Sequence, residues 1–336
     1  MPNFLIFEKY RIHRLFSLGA SALLLVLAAS YALEPTLSAG ASAAQGGDSL
    51  PHPPLISDTT AMETAWDIPR SPLTDSTVAD TALARKIKLG FRLFVDTPNK
   101  SRYASNQLSC NNCHLNGGQR ERAMPMIGIA AAFPEFNKRA GRMISLEDRI
   151  VECFKRSMDA SAARMGKERK EDRETVSLTT TSREVAAISA YINWLSAGYP
   201  SGKEIPWRGQ NGIPEEKRIP LEKLNAKRGE MLYRDRCVNC HGRNGQGIWI
   251  GDKKAGPLWG PKSWNDGAGA ARVYTLAGIF LYAMPYINPK SLTEEEAQQI
   301  ATYIDSKPRP VYPLKNEDYP NSNVPVDAVY YKKALK

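Results

Sequence analysis

The sequence predicts an all-α chain folded as two small helical domains in tandem, and three observations lead there. A Cys-x-x-Cys-His motif occurs twice, as Cys110-Asn111-Asn112-Cys113-His114 and as Cys237-Val238-Asn239-Cys240-His241. A stretch with apolar residues at helical spacing precedes each motif, and another closes each half. Between the halves lies a connector rich in Pro, Gly and charge. The 336 residues are enough for two ordinary domains with flanking segments, and 42% apolar with 24% charged residues is the composition of a globular chain, not a disordered one.

Taken in order, the chain opens with Lys9, Arg11 and Arg14 before an apolar run from Leu15 to Leu33, followed by Ala41-Ser42-Ala43. Residues 1–43 therefore read either as a secretory signal peptide or as an uncleaved anchor, since the run is about as long as the roughly 18–20 residues that span a bilayer. Both readings place the body of the protein outside the cytoplasm, in the periplasm or tethered there by residues 15–33. A linker of small residues and Pro covers 44–75. The first domain is expected over 76–200, with helices at Ala82–Phe94 (ended by Asp96 and Pro98), near Leu146–Ser157 and at Arg183–Ser196. The connector covers 201–220. The second domain, 221–310, repeats the plan: Leu221–Asp235 leads into the second motif, a Gly-rich loop runs from Gly242 to Gly269, and Thr293–Ser306 closes it with a Thr293/Glu296 capping box. The segment 311–336 is expected to wrap the surface.

The repeated motif has a chemical reading. Two thiols reach the two vinyl groups of one haem while the adjacent imidazole ligates its iron, so Cys110, Cys113, Cys237 and Cys240 are covalent attachment points for two haem c groups, with His114 and His241 as proximal ligands. A zinc ribbon would share one metal between the knuckles, but these are far apart and each carries its own histidine. Disulfides within each motif would close tiny loops of little benefit. The fold expected is thus two tandem cytochrome c-like domains, each with one covalently bound haem.

The ligand census sharpens this. The other histidines, His13 and His52, fall in the leader and the linker, so the sixth ligands are methionine, cysteine, lysine or absent. Met284, in a Met-Pro step before the last helix, is the candidate in the second half, against the alternative of a core methionine. No lysine lies between Trp264 and Met284. In the first half the one left-over cysteine, Cys153, follows His114 at nearly the interval that separates His241 from Met284. It is a thiolate ligand, a buried inert thiol or half of an intermolecular disulfide, with Met124, Met126, Met143 and Met158 as substitutes for the first role. A thiolate would draw that haem's potential well below that of its thioether-ligated neighbour.

Arg139, Arg142, Arg149 and Arg156 bracket Cys153, and Ser157 follows it. They are a solvated helix face, partners for haem propionates, or an oxyanion site, for which guanidinium is suited. The formal charge of +10 fits a basic surface, an acidic redox partner or a cationic funnel for a small anion. Nucleic acid is excluded as a partner because the basic residues are dispersed and the chain reads as exported.

The run Arg149-Ile150-Val151-Glu152-Cys153-Phe154-Lys155-Arg156-Ser157-Met158 resembles the cysteine motif of the diheme c-type thiosulfate dehydrogenases, which form tetrathionate. The resemblance covers roughly residues 75–310, with both haem motifs, the Cys-Phe-x-Arg-Ser segment and the Met-Pro step in order. It departs at Met158-Asp159-Ala160, where an Asn-Gly ending is expected. What it implies is an oxidoreductase joining two thiosulfates to tetrathionate, in either direction. Cys153 would ligate the active-site haem, Arg139, Arg149 and Ser157 would line the substrate pocket, and Met284 would ligate the electron-transfer haem. A soluble cytochrome or other acceptor would take the electrons. The rivals are a non-catalytic diheme electron-transfer subunit and a sulfur-oxidation cytochrome that conjugates thiosulfate to a carrier.

Overall fold

A computed structural model describes residues 71–160, 178–202, 205, 207–250 and 253–331. The leader or anchor, residues 44–70 of the linker, His13 and His52 lie outside the described residues. Among those described, no helix is long and apolar enough to cross a membrane.

The first half is built from α1 (Ala82–Val95), α2 (Thr97–Lys100), α3 (Leu115–Gly118), a hairpin of β1 (Glu135–Asn137) and β2 (Arg142–Ile144), α4 (Leu146–Arg156) and α5 (Arg183–Leu195). Thr81 caps α1 by accepting the Ala84 N–H at 3.1 Å. Ile87, Phe91 and Phe94 fall on its inward stripe, as the helical period requires. Ser145 accepts the Asp148 N–H at 3.1 Å, and the Asp148 carboxylate returns the bond to the Ser145 N–H at 3.0 Å, which fixes the start of α4. Helices α1 and α5 cross at Gly90, where a Cβ would lie 1.9 Å from the Ala187 carbonyl oxygen.

The second half contains α6 (Ala226–Arg236), α7 (Val238–His241), a hairpin of β3 (Trp249–Ile250) and β4 (Lys253–Lys254), α8 (Val273–Ala283) and α9 (Glu294–Asp305). Helices α6 and α9 cross at Gly229 in the same manner, with a Cβ 2.0 Å from the Gln299 carbonyl oxygen. The Thr293/Glu296 capping box is present.

Three features depart from the expectation. The helix before the second motif starts at Ala226, capped by Asn225, after a separate 3-10 turn at Leu221–Lys223. Helix α8 was not foreseen, because it is apolar on every side and has no period to read: nine of its residues, from Val273 to Ala283, are buried. The Gly- and Pro-bearing loop after the first motif holds the β1–β2 hairpin, with Phe136 opposite Met143. In the connector, Ile205 and Trp207 join Ile127 and Ala131 in a small core, and the Trp207 indole donates to the Ile127 carbonyl at 2.9 Å. The C-terminal segment, as far as it is described, is anchored by buried Tyr312, Tyr319 and Asp327.

Candidate active site

The two motifs present their histidines alike. In the first, Asn112 Oδ1 accepts the Ser109 N–H at 2.7 Å and the His114 N–H bonds the Cys110 carbonyl at 2.9 Å, closing the loop between the cysteines. His114 Nδ1 lies 2.6 Å from the Met124 carbonyl and His241 Nδ1 lies 3.0 Å from the Gly256 carbonyl. A carbonyl only accepts, so each Nδ1 carries the proton and each Nε2 keeps its lone pair for a metal. Burial lowers the pKa of both imidazoles, which favours the same neutral form. All five cysteines are free thiols, as thioether attachment needs. Buried donors also stand without a partner among the described residues: Arg120 Nη1, Trp264 Nε1 and Arg309 Nη1. Such donors suit the carboxylates of a haem, and together with the histidines and free thiols of the two motifs their chemistry fits that group.

Cys153, on the last turn of α4, shares its surroundings with the first motif. Burial pushes the Cys110 thiol up to about 12 and the Cys113 thiol up to about 11, and the Cys153 sulfur is the next cause at both. The Cys153 thiol is itself raised by burial, while the Arg149, Arg156 and Arg139 cations pull it down. Arg149 also lowers His114. Cys153 therefore lies within electrostatic reach of Cys110, Cys113, Arg139 and Arg149, and Arg149 within reach of His114. Ser157 ends α4, its N–H bonded to the Cys153 carbonyl at 2.8 Å and its own carbonyl accepting from Asn106 at 2.8 Å.

The four arginines part company here. Arg142 points away and pairs with Asp148 at 3.1 Å on the surface. Arg156 is buried and neutralised: both Nη groups donate to Asp318 at 2.7 Å, and Nε donates to Glu152 at 2.7 Å. Neither Arg139 nor Arg149 has a carboxylate partner among the described residues. Arg139 is steered by neutral acceptors, with Nη1 on the Gly267 carbonyl at 2.6 Å and Nε on the Tyr319 hydroxyl at 3.3 Å. Two guanidiniums without carboxylate partners among the described residues thus act electrostatically on the thiol, a combination that suits a small anion.

The methionines sort as well. Met143 is exposed on β2, Met158 is buried in the first core, and Met126 packs against that core. Met284 caps the end of α8 and packs half-buried against both the second core and a small cluster of Leu115, Ala123 and Ala283. Sequence reasoning missed Gly267, Asn265, Asp318 and Tyr319, which hold the arginines and α4. Only an Asp/Tyr pair in a Pro-rich tail marked the last two.

Comparison with known proteins follows the same division. Residues 99–201 match the family model described as SoxA/TsdA, cytochrome c domain, and residues 224–304 match that of cytochrome C oxidase, cbb3-type, subunit III. The thiosulfate dehydrogenase of Thiomonas intermedia is 31% identical over 279 residues, 82% of each chain. That of Allochromatium vinosum is 35% identical over 241 residues, 69% of this chain and 82% of the relative. Among solved structures, the thiosulfate dehydrogenase TsdBA of Marichromatium purpuratum in its as-isolated form superposes with a TM-score of 0.61 at 31% identity, over 72% of this chain. The chain spans about half the length of that solved protein, 49%.

Proposed function

Because the chain belongs to the thiosulfate dehydrogenase family, we propose that it is a periplasmic enzyme that oxidatively couples two thiosulfate ions to tetrathionate. The observation that carries this reading is the half-buried Cys153 within electrostatic reach of Arg139 and Arg149, two cations without carboxylate partners among the described residues.

Two haem c groups would be held by Cys110, Cys113 and His114, and by Cys237, Cys240 and His241, with Cys153 and Met284 completing the two irons. When bound they supply one-electron acceptors of unequal potential, two in number for the two electrons that the coupling releases. The chain's own residues do the rest. Bringing dianions together costs about 4 kcal/mol per charge pair at 4 Å and an effective dielectric of 20. Arg139 and Arg149 offset that repulsion. Arginine beside a thiol also favours the thiolate, the nucleophilic form. The Cys153 thiolate and the terminal sulfur of one thiosulfate form an S–S bond as two electrons depart. The terminal sulfur of a second thiosulfate then attacks the outer sulfur of that bond, tetrathionate leaves, and the thiolate is restored. Ser157, at the end of the same helix, would serve as a neutral hydrogen-bonding group. A soluble cytochrome or another external acceptor takes the electrons from the second domain.

Cys153→Ala is the test. The holoprotein should keep both haems and lose thiosulfate-dependent reduction of ferricyanide, while the unaltered enzyme performs it without a partner and releases tetrathionate. Near-normal turnover by the variant would sink the proposal. Ferricyanide reduction absent from the unaltered enzyme would favour the electron-transfer subunit, and thiosulfate bound to a carrier with no tetrathionate would favour the conjugating cytochrome.

A further inference from the structure

Each of the four candidate axial ligands is braced by the half of the molecule that does not carry it. His114 donates to the carbonyl of Met124, a residue held at φ 49°, where a side chain persists only if its surroundings impose the conformation. The Met124 side chain packs against the core to which α8 and α9 contribute most and lines a cavity with Ile213 and with Ile279 of the second half. His241 donates to the carbonyl of Gly256. A Cβ on Gly256 would lie 2.9 Å from Leu108 and 3.0 Å from Asn112, the latter inside the first Cys-x-x-Cys loop.

The sulfur ligands repeat the exchange. The last turn of α4, which carries Cys153, offers its Lys155 and Arg156 carbonyls to Asn265 of the second half, at 2.9 Å from Nδ2 and 3.1 Å from the backbone N–H. Beyond Met284, the Tyr286 carbonyl accepts from Arg120 Nη2 of the first half at 2.8 Å, and the Arg120 guanidinium lies 4.5 Å from the centre of the Tyr286 ring. The Tyr286 hydroxyl donates to Asn116 at 2.9 Å. Asn265 is fully buried and Arg120 is 2% exposed, so neither has water as a substitute partner.

We infer that the contact between the two halves, and not either half alone, sets the ligation of both irons, with Asn265 a positioning residue for Cys153 and Arg120 a positioning residue for Met284. The inference rests on the ligand assignment proposed above. Groups that orient a ligand also tune the metal it binds, and an iron's potential follows its axial ligand. A substitution in one half should therefore be read at the iron of the other.

The test uses the full-length holoprotein, by electron paramagnetic resonance of the oxidised form and by spectroelectrochemical titration. The unaltered protein should show one His/thiolate and one His/Met signal; if either is missing, the ligand assignment fails and not the bracing. With both present, Arg120→Gln should lower the potential of the second-half haem by a tenfold change in its reduction equilibrium, about 59 mV for a one-electron couple, because a loosened thioether no longer favours the reduced iron. Asn265→Ala should raise the potential of the first-half haem and broaden its thiolate signal. Arg120→Lys and Asn265→Ser, smaller changes, should move the same haems in the same directions should the first pair fail to fold. No shift, or a shift only at the haem of the half that carries the substitution, overturns the inference.

Discussion

Replacing Asp318 by asparagine measures what the C-terminal segment contributes to the site. The Asp318 side chain is 4% exposed and receives both Nη groups of Arg156, whose own side chain is 9% exposed. Tyr331 donates its hydroxyl to the same carboxylate. Taking one charge out of a buried pair costs about 3–5 kcal/mol, since the partner stays charged and loses its counter-ion. Glu152 remains 2.7 Å from Arg156 Nε and asparagine keeps one acceptor, so the bottom of that range is expected, about 3 kcal/mol. That is about two powers of ten in the ratio of folded to unfolded protein. Urea unfolding of the holoprotein, followed by tryptophan fluorescence, should show a lower midpoint at unchanged slope. The paired change Asp318→Leu with Arg156→Met removes both charges at once, and most of the lost stability should return, because no charge is left buried without a partner. A loss below about 1 kcal/mol in the single variant, the range of an exposed pair, refutes the reasoning. So does a double variant no more stable than the single one.

Further outcomes follow from the same geometry. Arg139→Gln and Arg149→Gln should each raise KM for thiosulfate at least about tenfold, as removal of a charged hydrogen-bond donor worth about 1.5–3 kcal/mol requires, whereas Arg142→Gln should stay near the unaltered value; steady-state assays with ferricyanide decide it. Gly90→Ala and Gly229→Ala force a methyl group into the carbonyls of Ala187 and Gln299, and each should cost at least about 1–3 kcal/mol by thermal or urea unfolding; an unchanged midpoint would mean the helices do not cross so closely. Arg142 and the Ser145 N–H hold the Asp148 carboxyl below its usual 3.8. A depressed carboxyl stabilises the fold above its unfolded pKa and loses that contribution as pH falls through the folded one. The gap in urea midpoint between the unaltered protein and Asp148→Asn, about 1 kcal/mol for a helix cap, should therefore be present at pH 6 and close below about pH 4.

Local chemistry was legible in the sequence because its causes lie within a few residues. Helices α1, α4, α5 and α9 begin and end within a residue or so of their expected bounds, since a cap, a stop and a helical period are each read over one or two turns. The Cys-x-x-Cys-His loops were legible for the same reason. Helix α8 was not, because burial on every side erases the contrast between faces on which periodicity depends. Nor could spacing separate four arginines that look alike along the chain. Arg156 is silenced by a carboxylate 162 residues away, and Arg139 is steered by a carbonyl 128 residues away.

The two halves show where the boundary between local and non-local information falls. Gly90 meets Ala187 and Tyr191 on α5, and Gly229 meets Gln299 and Tyr303 on α9, each pair four residues apart. The same crossing is thus built twice from a glycine on one helix and an aromatic one turn beyond the contact on the other. Phe94 and Tyr233, each four residues past its glycine, stand 5.5 Å in ring separation from Tyr191 and Tyr303. That recurrence can be recognised in the sequence only once the partner helices are known, since glycine in a helix otherwise reads as a weakness. What differs between the halves is the helix that follows the hairpin: one half carries α4 with its thiol, the other α8 with the thioether at its end. A common frame of crossed helices thus recurs in both halves, and the inserted helices supply the sulfur-bearing residues, Cys153 on one and Met284 at the end of the other. The basic residues lie on the first of these inserted segments and the apolar ones on the second, and the proposed division between anion binding and electron relay rests on that difference.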